Sequence, residues 1–202
     1  PGIGKSTLML QLADSLAGPG RVLYVSGEES AGQLKMRAQR LGVRQERIEV
    51  LCESSLEAIL EVIERLKPVL TIIDSIQTVG SAELTSLPGT VSQVRTCAHE
   101  LAAATKGRGT GLFLVGHVTK EGVIAGPKVV EHLVDTVLYF DQSDSAIRFL
   151  RASKNRFGST EEMAIFRMEG EGLQGVGNPA ALFLEHRGGE PPSGVAVTPL
   201  YE

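Results

Sequence analysis

The chain has 202 residues, 42% hydrophobic and 22% charged, with 20 Lys plus Arg against 24 Asp plus Glu and a formal charge of −4. That balance describes a globular domain able to bury a core and excludes a disordered tail or a uniformly basic nucleic-acid coat, though not a local basic site. No apolar run approaches the ~20 residues needed to cross a bilayer and no signal-peptide pattern is present, so a cytoplasmic setting is expected.

The first motif stands at the start. Pro1-Gly2-Ile3-Gly4-Lys5-Ser6 supplies the last six positions of a G-x-x-x-x-G-K-[ST] phosphate loop. The motif's leading glycine and its feeding strand are missing, so the sequence is expected to be a fragment of a longer protein. Thr7 to Leu16 is predicted helical, with Leu8, Leu12 and Leu16 on one face, and Gly18-Pro19-Gly20 stops it. Val22 to Val25 is a buried strand. Ser30 is placed to cap a helix reaching about Leu41, with Leu34, Ala38 and Leu41 on one face. A short strand near Ile48 to Leu51 precedes an amphipathic helix marked by Leu56, Ile59, Leu60, Ile63 and Leu66, which Pro68 ends. Val69 to Ile73 is a strand delivering Asp74. The stretch from Gly80 to Gly89 is a loop before a helix near Val91 to Thr105, and Leu112 to Val115 is the next strand.

Repeated βα units with apolar strands require crossover connections and a parallel sheet covered on both faces. Beyond Asp135 the style changes. Thr136 to Phe140, Ile147 to Ala152 and Met163 to Met168 are strands with short links, expected as antiparallel additions at one sheet edge. Glycines and prolines then accumulate, and Arg187 to Gly194 reads as a linker toward another domain. The division is therefore a 1–186 domain and a 187–202 linker with the start of a second unit. Cys52 and Cys97 cannot make a zinc site alone, are too widely separated for a redox motif, and read as buried free thiols.

The phosphate loop defines the chemistry. Its backbone N–H groups turn inward on phosphates, and the following helix adds its positive end. Gly2, Ile3, Gly4, Lys5, Ser6 and Thr7 form the cradle, Lys5 placing its ammonium on the β/γ phosphates and Ser6 its hydroxyl on Mg²⁺. Asp74, at the carboxyl end of its strand, fits the carboxylate that supports Mg²⁺; a helix-capping role is the plainer alternative. Glu28 and Glu29 follow another strand and face the same crevice, where one can orient or deprotonate an attacking water. Both also complement the next helix's dipole. Glu28 is favoured.

Taken together these residues resemble the ATPase core of the bacterial RadA (Sms) family, DNA repair and recombination proteins of the RecA/DnaB superfamily. The resemblance rests on Pro1 to Thr7, Tyr24-Val25-Ser26-Gly27-Glu28-Glu29-Ser30, Ile72 to Thr78, Val115 to Gly122 and, above all, Lys154-Asn155-Arg156-Phe157-Gly158. It runs from Pro1 to about Leu184, and the tail resembles the start of that family's Lon-protease-like domain. It implies a RecA-like α/β core and a DNA-dependent ATPase using ATP and Mg²⁺, assembled as a hexameric ring. Implied partners are single-stranded and branched DNA and other recombination proteins. Zinc is expected only in an N-terminal four-cysteine module absent from this sequence. By position, Glu28 corresponds to the water-activating glutamate, and His117 to a sensor of the γ-phosphate followed by a DNA-facing loop. Lys154 and Arg156 correspond to cations reaching the neighbouring subunit's ATP.

The residues carry part of this independently. In an extended segment, positions two apart share a face, so Lys154 and Arg156 can approach one triphosphate together. A basic edge strand that merely prevents sheet-to-sheet association is the alternative. His117 follows a strand at the sheet's carboxyl end, where a hydrogen-bonding side chain can report a phosphate. Two loops, Gly80 to Gly89 and Thr119 to Lys128, are placed to line a ring's pore, with Lys120 and Lys128 as phosphate contacts multiplied by symmetry. Two competing readings stay open: a clock-type ATPase and autokinase of the same superfamily, and a nucleotide-gated DNA-binding scaffold without motor activity.

Overall fold

The computed structural model describes residues 2–18, 20–117, 127–143 and 146–178. Lys120, most of the loop around it, the linker and the closing residues lie outside them.

Four strands form a parallel sheet: β1 (Val22–Ser26), β2 (Ile48–Cys52), β3 (Leu70–Asp74) and β4 (Gly111–Val115), in the order β2-β1-β3-β4. Helix α1 (Lys5–Leu16) precedes β1, and α2 (Ala31–Arg40), α3 (Leu56–Leu66) and α4 (Val91–Lys106) connect successive strands. Every residue of β1 and β3 is buried, because alternate side chains enter different cores. Val22, Tyr24, Leu70 and Ile72 join Met9, Leu10, Ala13, Leu34 and Ala38 under α1 and α2. Leu23, Val25 and Ile73 join Ile59, Ile63, Val94, Cys97 and Leu101 under α3 and α4. Each fully buried Leu or Ile stabilises this arrangement by ~1.5–3 kcal/mol before ordering entropy is subtracted.

Local signals start and stop the helices as the chemistry requires. Ser30 caps α2 in a reciprocal box: the Gln33 N–H donates to its hydroxyl while Gln33 Oε1 accepts from the Ser30 N–H at 2.9 Å. Ser55 caps α3. That helix closes on Lys67 in the left-handed region, ahead of Pro68.

The later strands, β5 (Thr136–Gln142), β6 (Ile147–Asn155), β7 (Met163–Glu169) and β8 (Gly172–Gly175), pair among themselves as an antiparallel sheet in sequential order. A one-turn helix, α5 (Pro127–Val130), precedes them. This sheet docks on the phosphate-loop end of α1. The Gln11 side-chain amide bonds both backbone groups of Leu173, donating to its carbonyl at 3.1 Å and accepting from its N–H at 2.9 Å.

Four expectations shift. The antiparallel strands, expected as additions at one edge of the parallel sheet, form a separate sheet, because among the described residues they pair only with one another. The buried face of α1 is Met9, Leu10 and Ala13, while Leu16 is 42% exposed, because the helix is wedged between two sheets rather than laid on one. Strand β8 was not foreseen: Gly-Leu-Gln-Gly carries no alternation of its own and is defined by pairing with β7. Cys52 is exposed rather than buried, since it ends the edge strand β2; its thiol donates to the Glu29 carbonyl.

Candidate nucleotide site

Register brings the site together. Ser26, Asp74 and Val115 are aligned across β1, β3 and β4, so Glu28, Asp74 and His117 emerge from neighbouring strands at one end of the sheet. In open α/β sheets that end is where ligands bind. The phosphate loop enters the same crevice. Gly4 precedes α1 at φ 107°, in the left-handed region, and a β-carbon there would collide with Met168 of β7. No side chain caps α1, which leaves its first N–H groups free to meet an anion.

Lys5, half-buried, lies with its Nζ 3.2 Å from His117 Nδ1. Burial lowers its pKa, and the charges of Asp74 and Glu28 partly restore it. Burial likewise lowers the pKa of His117, with the Lys5 ammonium as the next cause and Glu28 and Asp74 opposing both. The imidazole is thus kept neutral and available as an acceptor from Lys5. Its Nε2 lies 3.6 Å from Glu28 Oε1, and the Ser75 hydroxyl donates to that same oxygen at 2.9 Å. The Glu28 side chain remains about half exposed to the crevice.

Glu28 and Glu29 are separated by their partners. Glu29 pairs with Arg37 of α2 at 2.8 Å, which turns its carboxylate to the side. Asp74 is buried, and its Oδ2 accepts the hydroxyl of the fully buried Tyr24 at 2.6 Å. Burial and the neighbouring Asp74 charge push the Tyr24 pKa up, so it stays a donor. Gln77 Nε2 donates to the His117 carbonyl at 3.2 Å and fixes the end of β4. Gly27 packs so closely on Thr78 that a side chain there would displace it.

The remaining expected residues lie elsewhere. Lys154 Nζ donates to the carbonyls of Glu131 and Val134 at 2.6 and 2.7 Å, so its ammonium is engaged within its own chain. Arg156 is exposed and pairs with Asp135 at 2.9 Å. The Gly80 to Gly89 loop is tied down by Gln93 and Glu57, and Lys128 belongs to α5. Tyr24, Ser75, Gln77 and the buried Arg148 were missed as site residues. Tyr24 alone carried a signal, because a tyrosine inside an apolar strand must find an acceptor.

The donor set suits a hard cation. Tyr24 occupies one oxygen of Asp74, and the second carboxylate oxygen together with the hydroxyl of Ser6, in the first turn of α1, is the oxygen chemistry such a cation prefers. Among the described residues no cluster of three or more His, Cys, Asp or Glu could hold a metal unaided. No helix among them is long and apolar enough to cross a membrane.

The AAA domain family matches residues 1–123. A protein named DNA repair protein RadA from Bacillus subtilis is 54% identical over 189 residues, covering 93% of this chain and 41% of the relative. Its namesake from Halalkalibacterium halodurans is 54% identical over 198 residues, 97% and 42% of the two chains. That from Streptococcus pneumoniae is 50% identical over 200 residues, 98% and 48%. The chain thus spans less than half the length of these relatives. A crystal structure of a KaiC-like protein from Pyrococcus horikoshii superimposes with a TM-score of 0.66 at 18% identity, covering 87% of this chain and 85% of the other, and establishes the RecA-like fold.

Proposed function

Because the chain belongs to the AAA domain family, we propose that it is the ATP-hydrolysing core of a DNA repair ATPase of the RecA superfamily. The observation that carries the reading is the convergence of Lys5, Asp74, Glu28 and His117 at one end of the parallel sheet. The phosphate loop binds the nucleotide through backbone N–H groups, and Lys5 moves from His117 onto the β/γ phosphates. Ser6 and Asp74 would hold Mg²⁺, which neutralises phosphate charge when bound. Glu28, oriented by Ser75, takes the proton of the attacking water while the bond to ADP breaks. His117, released by Lys5, then reports the γ-phosphate to the segment that follows it. Glu29 orients α2 through Arg37.

The namesakes' DNA repair role and the fold support a wider assembly. In it, copies of the full-length protein form a hexameric ring in the cytoplasm, and Arg156 of one copy reaches its neighbour's ATP. Lys154 braces the end of β6 behind it. Lys120 and Lys128 track the backbone of single-stranded DNA, and hydrolysis drives helicase-like branch migration. The decisive experiment measures phosphate release and ADP binding by the full-length protein with Mg²⁺ and single-stranded DNA. Glu28→Gln is expected to slow hydrolysis by ~10²–10⁴ while retaining ADP, and Lys5→Ala to weaken both. Undiminished turnover in both variants refutes the site. DNA-dependent hydrolysis without directional branch migration leaves a nucleotide-gated scaffold instead of a motor.

A further inference from the structure

Arg148 lies at the start of β6, far in sequence from the phosphate loop, yet its side chain is buried against it: the residue is only 7% exposed. Its Nε donates to the Ile3 carbonyl at 2.8 Å, and one terminal nitrogen donates to the carbonyl of Ile147 at 3.1 Å. A buried guanidinium is unfavourable unless its donors are met. Two of them are met by these backbone oxygens, one of which lies in the loop that must hold the phosphates.

We propose that Arg148 is a positioning residue of the phosphate loop: by gripping the Ile3 carbonyl it aims the Gly4 N–H into the phosphate site. The reason is peptide geometry. In a planar trans peptide the C=O of one residue and the N–H of the next point in opposite directions. A carbonyl held outward, toward β6, turns the following N–H inward. Gly4 has no side chain to restrict that peptide and stands at φ 107°, where a flexible loop would otherwise sample several orientations. A rigid planar fork meets several carbonyls at once; a lysine ammonium is a flexible point charge that cannot reproduce it. Because β6 continues to Lys154 and Asn155, next to Arg156, one strand links the chain's own phosphate loop to the arginine assigned to a neighbouring copy.

The inference rests on the nucleotide-site reading, and the test separates the two. In the full-length protein, ADP and AMP are competed against a fluorescent ADP analogue for wild type, Arg148→Met, Arg148→Lys and Lys5→Ala, with thermal melting of each nucleotide-free form. Arg148→Met is expected to weaken ADP by about tenfold or more, the loss of a charge-assisted hydrogen bond, with little change for AMP, which lacks the β-phosphate. Arg148→Lys is expected to recover part of that loss. If Arg148→Met does not fold, Arg148→Lys decides, and must still bind ADP several-fold less tightly than wild type. Unchanged ADP affinity in the folded variant, even with a lowered melting temperature, assigns Arg148 to fold stability alone and overturns the proposal. An equal loss for ADP and AMP overturns it too. Unchanged ADP binding in Lys5→Ala rejects the nucleotide site itself; loss there with no effect at Arg148 rejects only this inference.

Discussion

At the scale of single residues, the site is organised by which partner each charge has found. Lys5 and His117 share a hydrogen bond that makes sense only with a neutral imidazole, since a protonated ring would place two cations 3.2 Å apart. Burial first, and then that ammonium, hold the His117 pKa below its ordinary value near 6.5, against the pull of Glu28 and Asp74. The unfolded chain therefore takes up the proton more readily than the folded one. His117 contributes its full stabilisation above pH ~6.5 and loses it as the pH falls through that value toward the lower folded pKa. Urea midpoints of the nucleotide-free protein at pH 7.5 and 5.5 should show this decline, and His117→Gln should flatten it. Identical slopes in the two proteins would mean that the imidazole is not confined as described. A bound triphosphate draws Lys5 away and removes one of the two causes, so the decline should be shallower with ATP present.

At the scale of elements, the loop from Gly80 to Gly89 shows how order is imposed on a segment without periodicity. Gln93, buried inside α4, accepts from the Ser81 N–H at 2.9 Å and donates to the carbonyls of Ser81 and Ser86 at 3.2 and 2.8 Å. Glu57 of α3 accepts from the Ser81 hydroxyl at 2.7 Å and the Ala82 N–H at 3.0 Å. The Ser81 hydroxyl first, then the Glu57 backbone N–H and the Ser55 hydroxyl, hold the Glu57 pKa down to about 2. Gln93→Ala strands buried loop groups and should destabilise the fold by roughly 1–3 kcal/mol. It should also speed proteolytic cleavage between Ser81 and Gly89. Cleavage at the wild-type rate would show that Glu57 alone suffices. None of this was legible beforehand, because a glutamine on an amphipathic helix reads as surface. The helices and parallel strands were legible because their apolar residues recur at one period and helix ends carry Ser30 and Pro68. The rotated face of α1 was not, since it is set by a sheet that arrives more than 100 residues later in the chain, and neither was β8, which is defined by its pairing with β7. In the site, Lys5, Asp74 and Glu28 followed from motif and strand ends. Arg148 did not, because one arginine in a basic strand is indistinguishable from its exposed neighbours Arg151 and Arg156 until the fold buries it.

At the scale of the whole molecule, the charges of the crevice and the arginine at the end of β6 have found different partners. Lys5, Glu28 and His117 are mutually engaged, whereas Arg156 is exposed and, among the described residues, held by Asp135. A surface pair of that kind contributes ~0–1 kcal/mol and exchanges readily for a triphosphate. If a neighbour's nucleotide is its destination, each hydrolytic site draws Lys5 from one copy and Arg156 from the next. Lys5→Ala and Arg156→Ala should then each abolish turnover in the full-length protein while leaving assembly intact. Mixing the two dead variants should restore it, because an Arg156→Ala copy still offers Lys5 and a Lys5→Ala neighbour still offers Arg156. Random assembly in equal amounts makes about one site in four intact, so recovery should approach about a quarter of the wild-type rate if sites fire independently. Recovery must fall when either variant is in large excess, since matched neighbours become rare. A mixture as inactive as its components, under conditions where mass measurement shows mixed assemblies, would place Arg156 outside the neighbour's site.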